Sequence, residues 1–228
     1  MVLGTIANVV AIVIGGIAGT LIKGGLPSKI AATVIKGLAL TVFLVGVTNA
    51  LKVNNLLLVM LSMAIGGIVG ESLDVDQRLK NLGDAVERRF KGRGGKISDG
   101  FVTGTLLYCV GAMAIVGSLE SGLSGNHQIL YAKSVLDGIV SLIFASTLGI
   151  GIVLSAFSVL LYQGSITLAA SSLQPLLSET IKADTSAIGG LLIIGMSFNM
   201  LEMNNIKVAN LLPAIFIPVI YQWLSLFF

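Results

Sequence analysis

Charge is scarce in this chain. Of its 228 residues only 11% are Asp, Glu, Lys or Arg, against about 25% in a water-soluble domain. So few polar groups cannot clothe a globular surface in water. That excludes an ordinary soluble domain and leaves lipid as the solvent for much of the molecule. The single cysteine and single histidine exclude an internal disulfide and a Cys/His metal cluster. Cys109 sits in an apolar run and reads as packing, and the lone His127 stands in the polar loop Ser124-Gly125-Asn126-His127-Gln128. No Gly-rich stretch is followed by the Lys-Ser or Lys-Thr pair of a phosphate loop. The chain is therefore expected not to be an enzyme and to need no metal and no cofactor. Its one basic segment is short and mixed with acids, which argues against nucleic acid as a partner.

What the chain has instead is apolar length. It is 55% hydrophobic with a mean hydropathy of +0.97, and it carries 28 glycines. Small residues let helix backbones approach closely in lipid, where no hydrophobic effect draws helices together. A span needs about 20 mostly apolar residues. Eight segments qualify, near 2–22, 30–50, 54–71, 98–118, 129–148, 151–174, 186–203 and 207–227. The stretch from Ile129 to Leu177 is too long for one span and fits two joined by a hairpin at Gly149-Ile150-Gly151. The opening MVLGTIANVVAIVIGG lacks a basic leader and a cleavage site, so it reads as a retained span, not a signal peptide. The expected fold is all-α, a polytopic transmembrane helix bundle of about eight spans forming one membrane domain over 1–228.

Lys and Arg near the span ends give the orientation. Lys23, Lys29 and Lys36 flank the first connection, Lys207 lies in the seventh, and the third holds Arg78, Lys80, Arg88, Arg89, Lys91, Arg93 and Lys96. Eight spans put these on one side and leave Lys52, Lys133 and Lys182 on the other. The basic side, with the loop 72–97, should be cytoplasmic and both termini extracytoplasmic, in a bacterial inner membrane. Leu73, Leu79, Leu82, Val86 and Phe90 share one helical face of that loop. The pattern suits a helix lying on the membrane surface, as an anchor or as a docking site for a partner.

An internal repeat emerges at an offset of 150 residues. Asn49-Ala50-Leu51-Lys52-Val53-Asn54-Asn55 matches Asn199-Met200-Leu201-Glu202-Met203-Asn204-Asn205 in the pattern N-x-L-x-x-N-N, each at the junction of two spans. Spans one to three (about 2–71) would correspond to spans six to eight (about 151–228), with central spans over 98–148. Three spans followed by two reverse the side of entry, so the repeat is expected to be inverted. Many secondary transporters are built this way, with their sites near the midplane at the repeat interface.

Ionisable or amide groups inside spans are costly in lipid and are functional candidates for that reason. Lys133 and Asp137 in the fifth span are four apart and share a helical face. They form either a cation or proton site with a resting counter-ion, or a neutral pair that sets helix rotation. Asn8 lies on the small-residue stripe Gly4-Asn8-Ala11-Gly15-Gly19, which reads as a tight helix contact with Asn8 as interhelical glue before ligand. Asn49 and Asn199 either line a site or cap their spans. Glu120 closes the fourth span, on the side of Lys133, and Glu71 closes the third. Pro213 and Pro218 break the hydrogen-bond ladder of the last span, as a cavity-lining break or an ordinary kink. Small-residue faces on spans one, three and four suggest a homo-oligomer.

Several of these segments together resemble a known family along essentially the whole chain. They are Gly4-Thr5-Ile6-Ala7-Asn8 with Gly15-Gly16, Cys109 to Ser118, Lys133-Ser134-Val135-Leu136-Asp137-Gly138, Ser186 to Gly190, and Val208 to Pro213. The chain is similar here to the YdfK/YqgA family of bacterial inner-membrane proteins, catalogued as a domain of unknown function. The resemblance implies a multi-span bacterial membrane protein and carries no activity with it. The residues themselves suggest a secondary transporter or permeation protein for a small polar solute or ion, with Asp137, Lys133, Asn8, Asn49, Asn199 and Glu120 lining its path. The alternative is a non-transporting scaffold or signalling partner that docks others through 72–96.

Overall fold

A computed structural model describes residues 2–22, 27–78, 81, 95–109, 112–174 and 177–225. Its regular elements are all helical: α1 (Leu3–Leu21), α2 (Ser28–Ala50), α3 (Leu56–Leu73), α4 (Gly95–Cys109), α5 (Ala112–Leu123), α6 (Gln128–Leu148), α7 (Gly151–Ser171) and α8 (Glu179–Met200), then a 3-10 segment (Val208–Phe216) and α9 (Ile217–Ser225). Seven stretches are long and apolar enough to cross a bilayer, and Gly100–Cys109 with Met113–Leu123, inclined at 56°, make an eighth if they form one bent span. Large apolar side chains such as Leu3, Ile14, Leu44, Leu57, Ile68 and Phe157 point outward. In water that surface would aggregate; in lipid it is the ordinary exterior of a bundle.

Local chemistry sets the element boundaries. The Asn55 side chain accepts from Leu58 N at 3.1 Å and starts α3, and Ser178 Oγ accepts from Ile181 N at 3.4 Å and starts α8. Each satisfies a backbone donor that a helix start leaves open. Gly149 takes φ +74° between α6 and α7, a conformation that a Cβ would oppose. Its N–H still bonds Ala145 O at 2.9 Å, so the hairpin closes tightly. The helix α8 begins seven residues before the span expected from 186, which carries Asp184 inside it. The last span is 3-10 over Val208–Phe216, with Pro213 inside it, before turning α-helical. Most of the basic connection falls outside the described residues, and with it the amphipathic reading of 72–97.

Two packed clusters make up the interior. One joins Ile12, Tyr108, Val140, Ile152 and Val159, from α1, α4, α6 and α7. The other joins Val42, Val59, Val116, Ile188, Leu192 and Ile215, from α2, α3, α5, α8 and the 3-10 segment. The most enclosed span is α8 and the most peripheral is α2.

Glycines permit the closest approaches. A Cβ at Gly15 would strike the Gly138 carbonyl and one at Gly19 the Leu142 carbonyl, so the small-residue stripe of α1 lies directly on α6. Gly66 and Gly70 of α3 meet the backbones of Ala214 and Asn210 in the same way. These small-residue faces of α1 and α3 are thus filled within one chain.

Contact order along each pair gives helix direction. Gly4 meets Leu130 and Gly19 meets Leu142, so α1 and α6 run parallel. Gly100 meets Gly151 and Gly104 meets Ser155, so α4 and α7 do too. Three other pairs are antiparallel. Asn8 meets Gln163 while Gly16 meets Val153, for α1 and α7. Phe43 meets Phe198 while Gly190 meets Ala50, for α2 and α8. Gly66 meets Ala214 while Gly70 meets Asn210, for α3 and the 3-10 segment. The α2–α3 turn, the α5–α6 loop and the start of α8 gather at one end, through Asn126–Asn49, Lys52–Gln128 and Ser124–Lys182 contacts. Glu71 and Lys207 meet at the other end.

Candidate functional site

The parallel packing of α1 on α6 brings three of the candidate residues together. Asp137 is the tenth residue of the 21-residue α6, which at about 1.5 Å per residue places it near the middle of the span. Its Oδ2 accepts from Lys133 Nζ at 2.6 Å, one helical turn earlier, and from Asn8 Nδ2 at 3.0 Å across the interface. The same Asn8 amide donates to Gln163 Oε1 of α7 at 3.3 Å. Asn8, Lys133, Asp137 and Gln163 are all buried. A row of four polar side chains thus runs across three helices at the level where lipid tolerates them least.

This row is not fully satisfied. Asn8 Oδ1, Gln163 Nε2 and Thr5 Oγ1 are buried without a hydrogen bond among the described residues. Asn8 spends its donor on two oxygens, and that orients the amide so its own oxygen is left over. Thr5 makes no back-bond of the kind that Ser62, Ser134 and Ser155 make to the Leu58, Leu130 and Ile152 carbonyls at 2.7, 2.7 and 2.6 Å, and Ser118 Oγ and Thr185 Oγ1 are likewise buried without a partner among the described residues. Unpaired buried polar atoms cost about 1–3 kcal/mol each. Two of them sit on the one hydrogen-bonded amide pair Asn8–Gln163, which marks it as a spot shaped for something polar. One turn beyond Asp137 along α6, Ser141 Oγ lies 2.7 Å from Tyr108 Oη of α4.

Glu120 and Asn49 are placed together elsewhere, at the end where the α2–α3 and α5–α6 connections meet. Asn126 Nδ2 donates both to Glu120 Oε1 at 2.8 Å and to Asn49 Oδ1 at 2.7 Å. Lys52 Nζ also donates to Asn49 Oδ1, at 2.7 Å. Glu120 Oε2 has no hydrogen bond of standard geometry, and a Cβ at Gly189 would lie 3.1 Å from it, so that glycine leaves room at this oxygen. Beside them Asp184 Oδ1 accepts from the backbone N–H groups of Asn54 and Asn55, both at 2.8 Å, pinning the α2–α3 turn to α8.

Asn199 joins neither group. Its side chain donates to Ile206 O at 2.7 Å and accepts from Ile206 N at 2.8 Å, clamping the connection that follows α8. Its amide is spent on backbone. Near that end Glu71 accepts from Lys207 Nζ and Asn210 Nδ2, both at 2.6 Å.

Gln163, Thr5, Asn126 and Asp184 were not among the residues singled out from sequence. Gln163 was visible as the lone amide in the apolar run Gly151–Ser171. Asp184 was hidden because its segment reads as a loop until the helix start at Glu179 is known. Thr5 is too common a residue type to stand out.

The chain matches, over residues 3–223, the family described as "Protein of unknown function (DUF554)". Among its relatives, the Uncharacterized membrane protein YdfK of Bacillus subtilis (strain 168) is 30% identical over 219 residues, covering 94% of this chain and 93% of that one. The Uncharacterized protein YqgA of Escherichia coli (strain K12) is 28% identical over 234 residues, with both chains covered in full. No solved structure matches. A family match across nearly the whole length, joined to seven or eight membrane-length helices, makes this chain a polytopic membrane protein that belongs to the DUF554 family.

Proposed function

We propose that this protein is a secondary transporter, or a related permeation protein, for a small polar solute or ion in the bacterial inner membrane. The observation that carries the reading is the buried row Lys133–Asp137–Asn8–Gln163, with unpaired polar atoms at mid-span. A bundle held together by dispersion alone would not need it. A neutral apolar row of the same size would pack α1, α6 and α7 without the desolvation cost of two charges.

The inverted repeat expected from the sequence would suit the reading. The offset of 150 residues maps α1 onto α7, α2 onto α8 and α3 onto the 3-10 segment with α9. Each of these pairs touches, and each is antiparallel, as a two-fold axis in the membrane plane requires. The mid-span row lies where α1 and α7, the matched first members, meet. Transport would proceed by alternating exposure of that row. The cluster of Glu120, Asn126, Asn49 and Lys52 would close the extracytoplasmic end, with both termini on that side and the loop 72–97 facing the cytoplasm.

The test is uptake of a solute mixture by purified protein in liposomes, with and without a proton or sodium gradient. Asp137→Asn, which keeps the shape of the side chain and removes its charge, should abolish flux while the protein stays folded. Absence of flux from folded wild type would favour the non-transporting scaffold reading and direct attention to partners of the basic loop.

A further inference from the structure

A carboxylate buried at mid-span must have its charge balanced, and here one ammonium does it. Asp137 and Lys133 are a one-to-one pair, with side chains 3% and 6% exposed. On the helices packed against α6, Asn8 Oδ1 and Thr5 Oγ1 are buried oxygens without partners among the described residues, and Gln163 Oε1 is engaged by the 3.3 Å bond from the same Asn8 amide that reaches Asp137. Thr5 and Asn8 are three apart on α1 and therefore share a face of that helix. Carboxylate, amide and hydroxyl oxygens are the donors that hard cations prefer, while softer metals prefer nitrogen or sulfur. None of these oxygens is needed to hold Lys133, whose ammonium touches Asp137 alone among the interactions of the described residues. The site thus has more oxygen donors than its present occupant uses.

We propose that this site binds a monovalent alkali cation on Asp137, and that the Lys133 ammonium is a tethered competitor for the same carboxylate. The inference rests on the transport reading in naming the coupling ion or cargo class for the same residues. The charge count selects the class: one carboxylate balances one positive charge, and a divalent ion would leave a charge uncompensated in the interior. Geometry supplies the exit. Lys133 lies one turn from Asp137 toward the start of α6, and its four-carbon stem can carry the ammonium toward the membrane surface as an incoming cation takes its place. Asn8 would turn its free Oδ1 to the cation, and Thr5 and Gln163 would complete the oxygen shell. When the cation leaves, Lys133 returns, so the carboxylate is never left bare.

This competition has a signature that a merely structural ion pair lacks. Full-length protein in detergent would be unfolded by heat in choline chloride, sodium chloride and potassium chloride at equal ionic strength, as wild type, Lys133→Met, Asp137→Asn and the double variant. Lys133→Met should melt lower than wild type in choline and recover in sodium or potassium. Its apparent alkali affinity should be at least about tenfold tighter than that of wild type, because the competitor has been removed. Asp137→Asn and the double variant should not distinguish alkali from choline. The proposal is overturned if Lys133→Met gains nothing from alkali over choline, or if Asp137→Asn still responds. It is also overturned if only mildly acidic buffer restores Lys133→Met, which would mean that a proton, not an alkali ion, neutralises Asp137. Should Lys133→Met fail to fold, equilibrium binding of labelled sodium to wild type and to Lys133→Gln replaces the melt, and no saturable binding refutes the site. Alkali binding without flux would sink the transport reading and leave this site standing. Flux that needs Asp137 but no alkali ion would do the reverse.

Discussion

Two regions of this molecule carry the same three chemical groups in different solvents. At mid-span, Asp137 accepts from Lys133 at 2.6 Å and from Asn8 at 3.0 Å. At the membrane surface, Glu71 accepts from Lys207 at 2.6 Å and from Asn210 at 2.6 Å. The first pair of side chains is 6% and 3% exposed, the second 53% and 59%. An exposed pair gains little, because water screens the attraction and solvates each partner as well when they part. A buried pair costs several kcal/mol of desolvation per ion and recovers it only through good geometry. The lysine bonds are equal in length and the groups are the same; burial is what separates the two trios. The surface trio is explained by packing at the base of α3, where Asn210 also accepts from Asp76 N at 2.7 Å. The interior trio ties α1 to α6 and leaves Asn8 Oδ1 unpaired, the atom that the proposed ligand would satisfy.

The comparison breaks first at its lysines. Lys133→Ala strands a buried carboxylate and should destabilise the protein in choline buffer by about 3–5 kcal/mol. Lys207→Ala should leave the thermal midpoint indistinguishable from wild type. Equal effects would mean that burial does not separate the two trios. The Lys207 pair also has a pH range of its own. The hydrogen bond from Lys207 to Glu71 holds its ammonium above the ordinary lysine value. Its contribution is therefore present from the carboxylate range, where protonation of Glu71 removes it, up to about pH 10.4, and is lost again as pH rises through the folded lysine value, so melts near neutral pH do not see it titrate.

Asn8→Ala should come next. It removes a charge-assisted donor from Asp137 at a cost of about 1.5–3 kcal/mol, and it should weaken alkali binding along with stability. Loss of stability with unchanged binding would return Asn8 to simple interhelical glue. The smallest effect belongs to the end where the α2–α3 and α5–α6 connections meet. Burial holds His127 below the ordinary histidine value, and its Nδ1 lies 2.8 Å from Ser121 Oγ. The neutral form is favoured in the fold, so stability is present above about pH 6.5 and falls as acid drives the pH through the folded value. His127→Gln should flatten that acid limb of a melting-temperature profile while leaving the mid-span response to alkali unchanged.

Much of the architecture was legible in residues alone. The hairpin at Gly149, the tight stripe of α1 and the Lys133–Asp137 pair each follow from local spacing, since helical periodicity and glycine geometry act over a few residues. The grouping of Asp137 with Asn8 was half legible: both stood out as polar groups in apolar runs, but they are 129 positions apart. Thr5 was beyond reach, as its meaning comes from which neighbours it lacks, and Gln163, visible as a lone amide, could not be given its partner Asn8 from sequence. Asn199 shows the opposite case. Its motif match to Asn49 suggested a shared role, yet Asn199 clamps Ile206 while Asn49 receives Lys52 and Asn126. Identical residues at matched positions had different partners available once the helices packed.

By itself the sequence determined the solvent, because 11% charge cannot coat a water-soluble surface, and it determined the helices, because lipid leaves a backbone no other way to satisfy its own hydrogen bonds within one segment. Which polar residues stand alone and which stand together was decided only by the tertiary structure. That depends on how far two backbones can approach, and here it is the bare α carbons of Gly15, Gly19 and Gly138 that bring α1 onto α6 and set Asn8 against Asp137.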